Sequence, residues 1–386
     1  MTQILGIPVE FVLFGLMLLG VAVFHHRNFE VALGGLTAIL AYALFVSRID
    51  LVAHFGHEWR LLLNLFGLLL GFAILARQFE DSRLPDWLPR WLPSGWPGGT
   101  VLLFFIAAMS TFLDNIAAAM IGGVIAKRLY KKRVSVSYLA AIVAASNAGG
   151  AGSVIGDTTT TMMWIAGVPI LLVAKAFFAS VSALLFSGVI AGRAQQRVCP
   201  ITRERPPGLT IDAGRLFIVV MILGGAVAAN LLIGFPAAGV WAAIVLGAAF
   251  RSTPWGELGR AWKGSLFLLS LVLSASLMPV ETLPHPSWQS TFALGWVSAV
   301  FDNIPLTALA LFQNGYDWGM LAFTVGYGGS IIWFGSSAGV ALTNSFPEAK
   351  ETARWLREGW HVAASYVVGF AVMMVLAGWH PFQLIR

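Results

Sequence analysis

Charge is scarce in this chain. Lys, Arg, Asp and Glu supply 11% of its 386 residues, where soluble chains carry roughly a quarter. So few charges do not cover the surface of a soluble protein of this length, which excludes a soluble enzyme or binding domain. Cysteine is nearly absent: Cys199 stands alone, which excludes an internal disulfide and a Cys-rich metal centre. The first apolar run has no basic residue before it, since Arg27 is the first, and no clean small-residue cleavage site, so it does not read as a signal peptide. The net charge of +6 is spread over short loops between apolar stretches. That pattern reads as membrane topology and excludes nucleic acid as a partner. Gly335–Gly339 satisfies G-x-S-x-G but lacks the strand-to-helix setting that motif demands. His25 and His26 are too few for a metal site. No enzymatic activity and no cofactor are therefore expected.

What is present is a series of long apolar runs: Ile4–Phe24, Phe29–Val46, Val168–Ala191, Leu216–Ile233 and His361–Gly378. Each approaches the roughly 20 residues that cross a bilayer as a helix. Further spans are expected near 61–79, 235–250 and 263–280. Segments 100–129 and 288–314 each carry an Asp-Asn pair halfway along, and each half is too short to cross; re-entrant hairpins fit better. Segments 135–166 and 318–346 carry glycine pairs and polar residues at their middles, and read as discontinuous helices. Lys127, Arg128, Lys131–Arg133, the arginines of a central linker at 193–212, Arg251, Arg260, Lys263, Lys350, Arg354 and Arg357 all thread to one side. That side is the cytoplasm by the positive-inside rule. The assignment puts the first hairpin on the cytoplasmic side and the second on the outer side.

Two motifs recur in the same order. Phe112-Leu113-Asp114-Asn115-Ile116 is matched by Val300-Phe301-Asp302-Asn303-Ile304, and Gly149-Gly150 with Gly156-Asp157 by Gly328-Gly329 with Gly335-Ser336. The expectation is an all-α polytopic membrane protein of two inverted repeats, 1–192 and 213–386, joined by a cytoplasmic linker at 193–212 whose Pro200, Pro206 and Pro207 mark an exposed crossing.

Carboxylates at membrane depth are costly and are functional candidates. Asp114 and Asp302 fall at hairpin tips, and Asp157 follows the stretch Gly149–Gly156, which is expected to unwind. Each glycine costs about 1 kcal/mol against alanine in a helix. A broken helix frees carbonyls for a cation and leaves a half-helix N-terminus that favours negative charge. Asp157, Thr158 and Thr159 would add oxygens, and Asn115, Asn147 and Asn303 amides, toward the all-oxygen shell a hard cation prefers. One carboxylate that holds either a proton or Na⁺ gives exchange; Asp157 is the first choice, then Asp114. The plainer reading of each hairpin aspartate is a helix cap. Lys175 reads either as a snorkelling side chain or as a counter-charge for the aspartates.

The run Ser146-Asn147-Ala148-Gly149-Gly150-Ala151-Gly152-Ser153-Val154-Ile155-Gly156-Asp157-Thr158-Thr159-Thr160-Thr161 resembles the signature of the NhaD-type sodium/proton antiporters. These belong to the ion transporter superfamily, with arsenite permeases and citrate and dicarboxylate carriers. Leu113-Asp114-Asn115, Phe301-Asp302-Asn303-Ile304-Pro305-Leu306 and Gly328–Val340 resemble its hairpin tips and second broken helix, and Lys175–Ser180 fits a lysine-containing span. The resemblance implies about five spans plus a hairpin per repeat, a scaffold part and a transport part moving elevator-like, and a homodimer. It implies a multi-pass protein of the bacterial inner membrane, with the bilayer, a small cation and protons as partners. The ion site would comprise Asp114, Asn115, Asp157, Thr158, Asp302, Asn303, Ser336 and Ser337, with Na⁺ at Asp157, Asp114 and Asn115. Gly152 replaces the family's usual aromatic, Val154 its usual proline, and the chain is shorter than typical members. Two cargoes stay open: Na⁺ or Li⁺ exchanged for protons, or an anion (citrate, a dicarboxylate or arsenite) coupled to Na⁺ or H⁺. The unpaired aspartates argue against an anion.

Overall fold

The computed structural model describes residues 3, 4, 6–24, 27–201 and 210–384. His25, His26, Arg203, Arg205, Pro206 and Pro207 lie outside the described residues. Apart from a two-residue antiparallel pair, Gln3–Ile4 with Ile7–Pro8, the regular structure is helical.

The first half runs α1 (Val9–Val23), α2 (Asn28–Phe45), α3 (Leu51–Asp81), the short α4 (Leu84–Trp87), α5 (Trp96–Ser110), α6 (Asn115–Leu129), α7 (Val136–Ala151), α8 (Thr158–Ile165), α9 (Ile170–Ala174) and α10 (Ala176–Val198). The second runs α11 (Ala213–Ile233), α12 (Pro236–Gly247), α13 (Gly256–Ser276), α14 (Trp288–Ser298), α15 (Asn303–Gln313), α16 (Trp318–Gly328), α17 (Ser337–Ser345), α18 (Thr352–Glu358) and α19 (Trp360–Ala377). Among the described residues, five stretches are long and apolar enough to cross a bilayer: Asn28–Phe45, Glu58–Asp81, Ile170–Val198, Ala213–Ile233 and Trp360–Ala377. With so many such helices this is a polytopic membrane protein. Their outer faces expose Leu231, Leu232 and Val375, and the shorter α12 exposes Val245 and Leu246, as lipid-facing surfaces do.

Several expected boundaries move. The run from Ile4 becomes a helix only at Val9, because Ile4 and Ile7 pair across a turn at Gly6, whose φ is +81°. The span expected at 235–250 has just 12 helical residues, beginning at Pro236, whose missing N–H suits a first turn. The linker expected to start at 193 starts after Val198, since Arg193 and Arg197 are still helical and Arg193 stacks over Trp96, 4.7 Å from its centroid.

Two groups of helices pack internally. One is α1, α2, α3, α11, α12 and α13; the other gathers α5 to α10 with α14 to α19. They meet along a narrow seam where α3 faces α8 and α13 faces α15. The first group is tied at one end by Arg215, which donates to Gln78 Oε1 at 2.5 Å and pairs with Asp81 at 3.5 Å, while Arg251 pairs with Asp212 at 3.3 Å. In the second group α7 and α16 are buried throughout their lengths.

Candidate functional site

Four helix N-termini bring the expected site residues together, and sequence chemistry explains each. Asp114 is the N-cap of α6, Asp157 of α8, Asp302 of α15 and Ser336 of α17. Asp and Ser favour that position because their oxygens accept from the orphan amides of the first turn. Asp157 Oδ1 accepts from Thr159 N at 2.9 Å and Thr159 Oγ1 at 3.0 Å. Asp302 Oδ1 accepts from Ile304 N at 3.0 Å, and its Oδ2 from Ser337 Oγ at 3.0 Å. Ser336 Oγ accepts from Gly339 N at 3.3 Å. Asp114 differs, for its side chain makes no capping hydrogen bond.

Capping does not exhaust Asp157. Its second oxygen, Oδ2, accepts from Asn115 Nδ2 at 3.1 Å, and the same amide nitrogen donates to Asn147 Oδ1 at 3.0 Å. Asn147 Nδ2 then donates to Ser330 Oγ at 2.9 Å and Ser336 Oγ at 3.2 Å. One buried chain of hydrogen bonds thus runs from the first hairpin through both discontinuous helices. Asp157 is 2% exposed and Asn147 0%, yet no Lys, Arg or His pairs with any of the three aspartates among the described residues. Ser330 is the site residue that sequence reasoning did not single out; its only signal was its place after Gly328-Gly329.

A cavity of about 490 Å³ opens onto this chain, lined by Asp114, Asn115, Asp157, Thr158, Asn303 and Ser337 among others. It runs along α3 and α13 to Arg77, Glu80, Glu257 and Arg260. Asp302 instead faces a neighbouring cavity of about 290 Å³, which shares Ser337 and Ile116 with the first. The three aspartates are therefore divided, two and one. Asn303 Nδ2 is buried without a partner, whereas Nδ2 of its counterpart Asn115 makes two hydrogen bonds.

The glycines work differently from expectation. Gly149 and Gly150 stay helical, and the break is confined to residues 152–157, between α7 and α8. A Cβ on Gly149 would strike Ala107 O, and one on Gly156 would strike Ser110 O. In the second half a Cβ on Gly328 would strike Gly295 O, and one on Gly335 would strike Ala299 O. The glycines let hairpin backbone lie directly against discontinuous-helix backbone. Two threonines are likewise structural: Thr160 Oγ1 donates to Ser153 O at 2.5 Å and Thr161 Oγ1 to Val154 O at 3.0 Å, tying off carbonyls freed by the break. Ser153 Oγ donates to Thr111 O, which pins the break to the hairpin tip. Gly152 leaves room for the Phe177 ring from α10, so an aromatic still fills that space.

Lys175 is not brought to the aspartates. It sits at the joint of α9 and α10, makes no ion pair among the described residues and does not line the cavity. Its expected role as their counter-charge has no contact behind it. His361, near the matching place in the second half, is fully buried and shares a 3.0 Å hydrogen bond with Ser137 Oγ.

Comparison with known proteins places this scaffold. A family model described as citrate transporter matches residues 4–328. The chain belongs to the citrate transporter (CitMHS) family. It is similar to sodium/proton antiporter 1 of Arabidopsis thaliana, at 27% identity over 299 residues, covering 64% of this chain and 49% of that protein. It is also similar to the Na⁺/H⁺ antiporter NhaD of Alkalimonas amylolytica, 26% identical over 402 residues with 86% and 82% covered. The NhaD of Halomonas elongata is 25% identical over 337 residues, with 72% and 66% covered. The chain thus spans about half the length of the plant relative and most of the Alkalimonas one. The family and these relatives are transporters rather than enzymes. The resemblance to NhaD-type antiporters agrees with the relatives, while the family's description names another cargo.

Asn115 is the first residue to test. It is the sole side-chain donor on Asp157 Oδ2 among the described residues, and a hydrogen bond to a charged acceptor is worth about 1.5–3 kcal/mol. Asn115→Ala leaves the carboxylate held only through Oδ1, and on the exchange reading proposed below the cation concentration for half-maximal exchange should rise about tenfold. Cation titration of exchange in vesicles measures this; an unchanged midpoint shows that Asn115 does not hold the carboxylate in place.

Proposed function

We propose that this protein is a secondary active transporter that exchanges Na⁺ or Li⁺ for protons by alternating access. One observation carries the reading: a carboxylate, Asp157, lies buried at a helix break, beside Asp114, without any cationic side chain paired to it among the described residues. A buried carboxylate needs either a proton or a cation. Binding Na⁺ to the acid releases its proton, and protonation releases Na⁺, so one site carries both in turn. Asp114, Asn115 and Thr158 supply further oxygens around the cavity, and a half-turn of the Asn303 amide would present its oxygen to it. Asp302 with Ser337 is the second-half counterpart. An anion such as citrate would meet two carboxylates that no cationic side chain pairs with among the described residues, since the cavity's Arg77 and Arg260 pair with Glu80, Asp81 and Glu257, so the relatives' named activity fits the site better than the family's description. No resident cofactor is needed, since the cation and proton are cargo.

The recurrent Asp-Asn tips and glycine contacts support two repeats, and the distribution of basic loops supports their inversion, with the basic side in the cytoplasm of a bacterial cell. On that orientation the cavity opens inward, because Arg77, Glu80, Glu257 and Arg260 lie at the cytoplasmic ends of α3 and α13. The narrow seam supports movement of the hairpin-bearing group against the other, and the homodimer follows from the resemblance.

Everted vesicles separate the two cargoes. Adding Na⁺ or Li⁺ to vesicles holding a preset ΔpH should dissipate it, with no uptake of labelled citrate. Citrate uptake without cation-driven dissipation would assign the site to an anion and end the exchange reading.

A further inference from the structure

A second polar cavity, of about 370 Å³, lies away from Asp157 at the ends of α1, α2, α3 and α13 that the basic-loop pattern assigns to the outer side. Glu10, Tyr42, Ser47, His54, Ser276 and Glu281 line it. Glu10 is 4% exposed. Its Oε1 accepts from Ser47 Oγ at 2.8 Å, but its Oε2 is buried with no hydrogen-bond partner, and no basic side chain pairs with it among the described residues. His54 Nε2 is occupied by Ser276 Oγ at 2.9 Å and so does not serve Glu10 through that nitrogen.

We propose that this cavity is a second cation site, which takes a hydrated monovalent cation from the outer side onto Glu10. A carboxylate removed from water and left without a donor demands a counter-charge, and Glu281 at the rim adds a second negative group rather than a balancing one. The rest of the lining that matters is hydroxyl: Ser47, Ser276 and Tyr42 can hold the waters of a hydrated ion. The volume fits an ion with its shell, since a water occupies about 30 Å³ of liquid. No group of three His, Cys, Asp or Glu side chains among the described residues is placed to hold a metal ion directly. A tightly ligated divalent ion is therefore disfavoured. All four helices around the cavity belong to the first group, which meets the hairpins only along the seam, so the site stays with that group when the hairpins move. It goes beyond the exchange reading and does not rest on it.

The test uses the purified full chain carrying Asp157→Asn, so that the exchange carboxylate does not report. NaCl replaces choline chloride at constant ionic strength while the thermal unfolding midpoint is followed. Na⁺ should raise the midpoint by a few degrees in a saturable curve. Adding Glu10→Gln should abolish the rise, and adding the exposed Glu281→Gln should move half-saturation several-fold higher. Glu10→Gln alone should keep cation-driven dissipation of ΔpH in vesicles. A flat Na⁺ response in the Asp157→Asn protein means that Glu10 carries a proton instead and overturns the site. So does a rise that survives Glu10→Gln. If the Glu10 variant does not fold, an unshifted Glu281→Gln curve is equally decisive against it. Loss of exchange in Glu10→Gln would place the residue in the transport path and also overturn the proposal.

Discussion

In Asp157→Asn, cation-driven dissipation of ΔpH should fall at least about a hundredfold, to the level of vesicles without the protein, while the variant still inserts and unfolds near the parent temperature. The substitution keeps shape and leaves an oxygen for Thr159 N, so the cap of α8 survives. It removes the charge that, on the proposed reading, alternates between proton and cation. A hundredfold loss corresponds to about 2.7 kcal/mol, modest for deleting the charge that faces a cation in a buried pocket. Asp302→Asn should cost less, because Asp302 faces the neighbouring cavity rather than the one that Asp114 and Asp157 share. The comparison is informative in either direction. Full exchange in Asp157→Asn, with loss in Asp114→Asn, would move the exchanging group to the hairpin tip.

The second large effect falls on folding. Gly156→Val should leave little or no stably folded protein, a destabilisation of at least about 3 kcal/mol. Its Cβ would overlap Ser110 O and crowd Thr111, and a backbone carbonyl has no rotamer with which to yield. Gly149→Val should behave similarly through Ala107 O. Gly224→Ala in α11 is the control, for nothing lies within 4 Å of its Cβ and normal yield is expected. Yield of monodisperse protein and its unfolding midpoint read out all three. A normally stable Gly156→Val would mean that hairpin and break are not in contact, and the exchange site would lose its frame.

Individual residues show why some of the site was legible and some was not. Asp114, Asp157 and Asp302 stand out because a carboxylate in an apolar chain has few structural reasons to be there. Their immediate setting was legible too, since Asp-Asn before an apolar run is a helix start. Ser330 and the second bond of Asn147 were not, because hydrogen bonds between residues some 180 positions apart leave no local pattern. The glycines misled for a related reason. Propensity treats glycine as a helix breaker, yet Gly149 and Gly150 remain helical because the tightly packed neighbouring backbone outweighs a penalty of about 1 kcal/mol each. Lys175 kept two readings because its place in an apolar run says nothing about the direction in which a side chain points.

The amino-acid sequence by itself determined that this protein lives in lipid, that its chain repeats a hairpin tip and a glycine-flanked polar break, and that carboxylates sit where water is scarce. Those properties depend on composition and on spacing along the chain, and lipid punishes every exception. Tertiary structure alone decided which carboxylates share a cavity, separating Asp302 from Asp114 and Asp157. It also decided that Asn147 joins the halves and that Glu10 has no partner. Proximity across packed helices is a property of how whole surfaces fit, and no window of sequence contains both sides of that contact.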